Sequence, residues 1–252
     1  MSTTTTPPRT ATPTGAELVL EDVRLGHPDG PPVLGALDLR VTPGEVLTVV
    51  GPSGCGKSTL LRTLAGLLPA LGGRITQDGR PVTRPDADRA LVFQHDALLP
   101  WRTVRANIEL PLAIRRVPRD ERRTAAAEWL DRVELSGHAT KLPHQLSGGQ
   151  RQRIQLARAL AGRPRAVLMD EPFGALDAHT RSGMQDLLVD ILGESGATVV
   201  FVTHDVDEAL HLGDRVALLA AGLVLPVPHP RQRDAAGAPG TTALRRRVLA
   251  SL

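Results

Sequence analysis

Gly51-Pro52-Ser53-Gly54-Cys55-Gly56-Lys57-Ser58-Thr59 reads GxxxxGK[ST], a pattern in which each residue type has a task at a polyphosphate. The glycines let the backbone curl so that successive N–H groups point inward, and a helix starting behind them adds positive potential. Lys57 brings a full charge to the β- and γ-phosphates, and the Ser58 hydroxyl can sit on Mg²⁺. Far downstream, the apolar run Ala166-Val167-Leu168-Met169 ends in Asp170-Glu171. Successive strand side chains diverge, so one carboxylate can face a metal while the other faces an attacking water. This assigns Asp170 to Mg²⁺ and Glu171 to general base. His204, at the end of Thr198 to Thr203, can reach a γ-phosphate in the same way.

A second anion-binding element follows from Leu146-Ser147-Gly148-Gly149-Gln150, directly before the helical run Arg151 to Leu160. Ser147, Gly148, Gly149 and Gln150 thus sit where a helix N-terminus attracts negative charge. One nucleotide has one γ-phosphate to offer. A chain with two such loops either binds twice or shares its loops with a second copy, and head-to-tail pairing would satisfy both loops at two equivalent sites. Cys55, inside the phosphate loop, sits where a helix N-terminus lowers a thiol pKa, although small-residue packing explains it equally well.

These groups need a scaffold, and the chain supplies one. Short apolar runs at Leu18 to Leu25, Leu37 to Val41, Leu47 to Val50, Ala90 to Phe93, Ala166 to Met169, Thr198 to Val202 and Arg215 to Ala220 read as strands. Several lack alternation, as strands buried on both faces of a parallel sheet do. Leu47 to Val50 runs straight into the phosphate loop, with a helix expected over Leu60 to Leu67. Between Phe93 and Ala166 the strand signal stops and charged helical stretches such as Arg119 to Val133 replace it. The expected architecture is an α/β core interrupted by a helical subdomain, about 96–164, with an antiparallel N-terminal edge. Residues 1–16, rich in Thr and Pro, read as a disordered tail. The core is expected over 17–225 and a C-terminal extension over 226–252. There, Leu244, Val248 and Leu252 at helical spacing favour a short helix packed on the core over a lipid-binding one, because one basic triplet attracts a membrane weakly.

Composition excludes several classes. The chain has 252 residues, 41% hydrophobic and 23% charged, as in an ordinary soluble domain. No run of about 18 apolar residues exists to span a bilayer. One cysteine suits a reducing compartment, and MSTTTTPPRTATPTG lacks the regions of a signal peptide, so a cytoplasmic setting is expected. Of 30 basic residues only Lys57 and Lys141 are lysines, and the arginines are scattered among 27 acids. That distribution forms no concentrated basic stripe, and with 2% aromatics and no Tyr base-stacking platforms are lacking; nucleic acid is not an expected partner.

LSGGQ at 146–150, GPSGCGKST at 51–59 and AVLMDE at 166–171, in this order, resemble the ATP-binding-cassette family over about residues 17–225. The resemblance implies a P-loop NTPase (RecA-like) core carrying an N-terminal antiparallel β subdomain and an inserted α-helical subdomain. It implies two ATP molecules, with Mg²⁺, clamped between two chains. It makes Gln94 the loop glutamine that ligates Mg²⁺ and senses the nucleotide, Ala175-Leu176-Asp177 the loop crossing the dimer interface, and His204 the switch histidine. Where the family stacks an aromatic ring on adenine, this chain has His27, a smaller and more polar plane. ALLPW at 97–101, PDADR at 85–89 and DEPFGALDAHTR at 170–181 resemble the taurine, aliphatic sulfonate and nitrate importers. That implies an energy-coupling subunit at the cytoplasmic face of the membrane, working with a two-copy permease and a solute-binding protein. Leu98, Leu99, Pro100 and Trp101 are read either as a docking patch for a partner helix or as packing within the helical subdomain. Nitrate, bicarbonate or a thiamine precursor are the alternative solutes to a sulfonate. A cassette that remodels DNA or ribosomes is the rival class, disfavoured because neither a tandem copy nor a long coiled coil is present. A nucleotide-binding scaffold without turnover is disfavoured by the presence of Glu171 and His204.

Overall fold

The computed structural model describes residues 15–27, 30–95, 97–232 and 237–252. Two sheets and two helical layers make up the architecture. The larger sheet holds β3 (Val46–Val50), β6 (Arg89–Val92), β7 (Ala166–Asp170), β8 (Thr198–Val202), β9 (Arg215–Leu218) and β10 (Leu223–Pro226), in the order β10-β9-β3-β8-β7-β6. All neighbours are parallel except β10 on β9. Every residue of β3 and β8 is buried, yet the two faces go to different cores. Val200 and Val202 pack with Leu47, Val49 and Leu168 on one side. Val199 and Phe201 pack with Val46, Val167 and Met169 on the other. That two-sided burial is the reason these strands show no polar alternation in the sequence.

The smaller sheet is antiparallel, ordered β2-β1-β4-β5 from β1 (Leu18–Gly26), β2 (Pro32–Val41), β4 (Gly72–Gln77) and β5 (Arg80–Pro81). It shares one core with the first face of the large sheet and with α1 (Lys57–Leu64), through Leu18, Leu20, Leu60, Leu61 and Leu64. β4 and β5 went unread in the sequence, although Asp78-Gly79 between them carries the signal of a tight hairpin: φ is 50° at Asp78 and 75° at Gly79. The chain is already packed at Ala16, whose N–H donates to Arg165 O at 3.0 Å and whose carbonyl accepts from Thr198 Oγ1 at 2.6 Å. This corrects the tail reading at Gly15 and Ala16; the rest of that stretch lies outside the described residues.

Between β6 and β7 come α2 (Val104–Ile114), α3 (Arg119–Arg132) and α4 (Gly148–Ala161). They bury a core of their own, including Ile108, Leu112, Ala126, Leu130, Ile154 and Ala157. α2 is a helix the sequence reading did not single out, and it carries Pro111 inside it, a residue that ordinarily interrupts a helix. Its start is capped by Thr103, whose hydroxyl accepts from Ala106 N at 3.2 Å. Asn107, fully buried, accepts from Leu99 N at 2.8 Å and donates to the Leu99 and Arg102 carbonyls. That clasp turns Leu98 inward, 6% exposed, and leaves Trp101 outward, 73% exposed. Leu98 is therefore part of the helical subdomain's core, the second of the two readings given to that stretch.

α5 (Ala178–Ser195) follows β7 and α6 (Val206–Leu212) follows β8. A final helix, α7 (Pro239–Leu249), packs fully buried Val248 and partly buried Leu244 against α6 and β9, whereas Leu252 lies beyond it and is exposed. Among the described residues no helix is long and apolar enough to cross a membrane.

Candidate nucleotide site

Parallel pairing of β6, β7, β8 and β3 puts their C-terminal ends on one edge of the sheet, the edge at which open α/β folds bind ligands. Each end carries a group singled out from the sequence: Gln94 after β6, Asp170 and Glu171 at β7, His204 after β8 and the phosphate loop after β3. Three of them meet at one atom. Glu171 Oε2 lies 3.0 Å from His204 Nδ1 and accepts from Gln94 Nε2 at 3.4 Å. Glu171 is held for this by its backbone: its N–H donates to Val202 O at 3.0 Å, and φ is 43°, a left-handed conformation that a non-glycine residue adopts only under constraint.

The phosphate loop is wound around Lys57, whose Nζ donates to Gly51 O at 2.7 Å and Pro52 O at 2.9 Å. α1 starts at Lys57 rather than Leu60 because Gly56, at φ 101°, makes the turn into it. A Cβ at Gly56 would sit in ordinary contact with Val33 and Leu34 of β2, at 3.5 and 3.8 Å, so it is the positive φ that favours glycine there. Gly54, at φ 82°, has nothing within 4 Å of that position, so the loop is closed behind and open in front. Burial pushes the Asp170 carboxyl above the ordinary aspartate range despite the neighbouring Ser58 hydroxyl and the Arg62 and Lys57 charges. Pro52, Ser53 and Gly54 are exposed; Cys55 is half-buried, and its Sγ would clash at 2.7 Å with any Cβ on Gly51.

These residues fit a magnesium nucleotide. Among the described residues no group of three or more His, Cys, Asp or Glu could cage a metal by itself. A hydroxyl and one carboxylate are the hard oxygen donors Mg²⁺ uses when phosphate oxygens and water complete its shell. An inward-facing loop at a helix N-terminus is the matching anion cradle.

Ser147 caps α4 through a reciprocal pair: its hydroxyl accepts from Gln150 N at 3.3 Å, and its own N–H donates to Gln150 Oε1 at 3.0 Å. Facing it, Asp177 caps α5 through His179 N, Thr180 N and the Thr180 hydroxyl, which hold its carboxyl below the ordinary range. Ser147, Gly148, Gly149, Gln150, Asp177 and Thr180 border a cavity of about 400 Å³. Gly149 is required there, because a Cβ would meet Thr180 Cγ2 at 2.9 Å. α4 packs on α2, α3 and β6, whereas α1 packs on β1, β7 and β8, so the two anion-binding loops of one chain sit in different layers. His27 is exposed just past β1, where its carbonyl accepts from Gly30 N at 3.0 Å. Thr180 was not singled out in the sequence, though Asp177-x-x-Thr180 is a helix-start pattern.

A parallel sheet with a glycine-lysine loop at one strand end and an acidic pair at another defines a P-loop NTPase. The chain belongs to the ABC transporter family, whose model matches residues 34–174, and it is an ATPase subunit of that class. It is 48% identical over 206 residues to a taurine import ATP-binding protein of Pseudomonas entomophila, covering 81% of this chain and 80% of that one. It is 50% identical over 207 residues to a nitrate import ATP-binding protein of Synechococcus elongatus, covering 78% of this chain but only 31% of that longer protein. Among solved structures, the dimeric post-hydrolysis state of an ATP-binding cassette bound to ADP and Pi superimposes with a TM-score of 0.70 at 36% identity, over 79% of this chain and 92% of that one.

Proposed function

We propose that the chain is the energy-coupling subunit of an importer for taurine or another aliphatic sulfonate, hydrolysing ATP with Mg²⁺ in a head-to-tail dimer. The meeting of Gln94, Glu171 and His204 at one carboxylate oxygen carries the hydrolytic part of this reading. Lys57 and the backbone N–H groups of the loop Gly51 to Thr59, in which Pro52 contributes no donor, hold the phosphates, and Ser147 to Gln150 of the second copy close over the γ-phosphate. His27 offers its ring to the adenine. Ser58, Asp170 and Gln94 would hold Mg²⁺, which when bound neutralises charge on the phosphate oxygens. His204 and Gln94 engage Glu171 Oε2, leaving Oε1 to accept from the attacking water and orient it. Closure on ATP and reopening after hydrolysis shift the partner permease between two states. Trp101, beside the Gln94 loop, is an exposed anchor for that permease.

In this reading residues 17–225 form the cassette, 96–164 its helical part and 226–252 an extension. The chain works at the cytoplasmic face of the membrane with a two-copy permease and a solute-binding protein. Taurine is favoured over nitrate because the match spans 80% of the taurine relative and 31% of the nitrate one. Reconstitution with its permease and binding protein tests the solute: taurine should stimulate ATP hydrolysis. Stimulation by nitrate alone would transfer the assignment, and none by taurine or by any of a panel of aliphatic sulfonates would remove it.

A further inference from the structure

Glu208, on α6, is a buried acid that the reaction leaves unused. It is 6% exposed, and Gln185 Nε2 of α5 donates to its Oε1 at 3.0 Å. Gln185 is itself 7% exposed, so that bond is not exchanged with water at no cost. The residue between Thr203 and Asp205 is His204, whose side chain is 63% exposed. An imidazole that open is not held by packing; its backbone must aim it.

That backbone is fixed through Glu208's neighbours. Thr203 N donates to Val49 O at 3.1 Å, and the Thr203 hydroxyl accepts from Asp205 N at 3.0 Å. Asp205 Oδ1 in turn accepts the N–H of Glu208 itself at 3.1 Å. A second rung runs parallel to the first: Arg181, one turn before Gln185 on α5, lies 3.6 Å from Asp205 Oδ2.

We propose that Glu208 is a positioning residue, setting His204 against Glu171 by tying the Thr203–Asp205 turn to Gln185 of α5. The proposal rests on the reading of Glu171 and His204 given above. It separates from a merely structural role, because a buried polar contact that only stabilises the fold would lower Tm and leave the turnover of folded protein alone.

The test is steady-state ATPase kinetics on the purified chain and its Glu208→Ala, Glu208→Gln, Gln185→Leu, Thr203→Val, His204→Ala and Glu208→Ala/His204→Ala variants. Glu208→Ala and Thr203→Val should each lower kcat roughly 10- to 100-fold, the scale of a small misplacement of a reacting group, with KM for ATP unchanged. Glu208→Gln, which keeps hydrogen-bonding capacity, should recover most of the turnover. In the His204→Ala background, Glu208→Ala should cost nothing more. Should Glu208→Ala fail to fold, Gln185→Leu, which removes the donor to Glu208 and leaves the Thr203–Asp205 bond in place, decides instead. Wild-type kcat in folded Glu208→Ala, Gln185→Leu or Thr203→Val, or losses that multiply in the double variant, would overturn the positioning role and leave the site reading standing. Normal turnover by His204→Ala would instead bring down the site reading, and this proposal with it.

Discussion

Glu171 accepts hydrogen bonds from two loops with one oxygen while its backbone stays left-handed. Glu171→Gln keeps the side-chain volume and removes the basic site, so ATP should still bind and draw two chains together while hydrolysis falls roughly 10²- to 10⁴-fold. Nucleotide-dependent elution as a dimer, measured beside phosphate release, checks both halves; near-normal release would dismiss Glu171 as base. Asp170 makes a prediction of opposite character. Burial raises its carboxyl above the ordinary aspartate value of 3.8, so the folded protein without nucleotide holds that proton more tightly than the unfolded chain. This contribution to stability is complete below pH 3.8 and is lost as pH rises through the higher folded value. Asp170→Asn should therefore flatten the fall of Tm with pH above 3.8, in thermal melts without Mg²⁺ or ATP; an unchanged slope would contradict it. Both carboxylates were legible in the sequence as an adjacent pair. The burial of Asp170 and the two partners of Glu171 were not, because they come from segments remote in the chain.

At the scale of elements, Gly149 couples two helices. A good helix former would ordinarily gain about 1 kcal/mol over glycine there, but the 2.9 Å approach of Thr180 Cγ2 opposes it. Gly149→Ala should force α4 and α5 apart at their N-termini and lower ATPase turnover without unfolding the chain. Adding Thr180→Ser removes the methyl while retaining the hydroxyl that bonds Asp177 at 2.7 Å, and should restore turnover. Failure of that rescue, in the same phosphate-release assay, would show the contact to be irrelevant. The helix start at Ser147 and the strands Ala166 to Met169 and Thr198 to Val202 were readable because capping and continuous burial leave local marks, although β7 runs one residue further, to Asp170. α2 was not, since Pro111 and the buried Asn107 mimic a loop, and only the carbonyls that Asn107 bonds explain its place.

For the whole molecule, the large sheet acts as the frame and the C-terminal helix as a buttress against it. Val248 is fully buried among Val206, Leu210, Val216 and Leu225. Val248→Ala should destabilise the chain by about 2 kcal/mol, read by urea denaturation, with ATP affinity unchanged. A shift in ATP affinity would mean that α7 acts on the nucleotide edge as well as on stability.

Residue types and spacing alone determined the phosphate loop, the acidic pair, the capped glycine turn at 147–150 and the doubly buried strands, because each is chemistry or periodicity contained in a few consecutive residues. Tertiary structure alone decided that β6, β7, β8 and β3 stand side by side, which brings Gln94 and His204 onto one oxygen of Glu171. It likewise decided that Leu98 turns inward while Trp101 stays in solvent, and that Glu208 ties α6 to α5. Strand order and side-chain direction depend on contacts between segments far apart in the chain, and no local pattern encodes which distant partner a buried group will find.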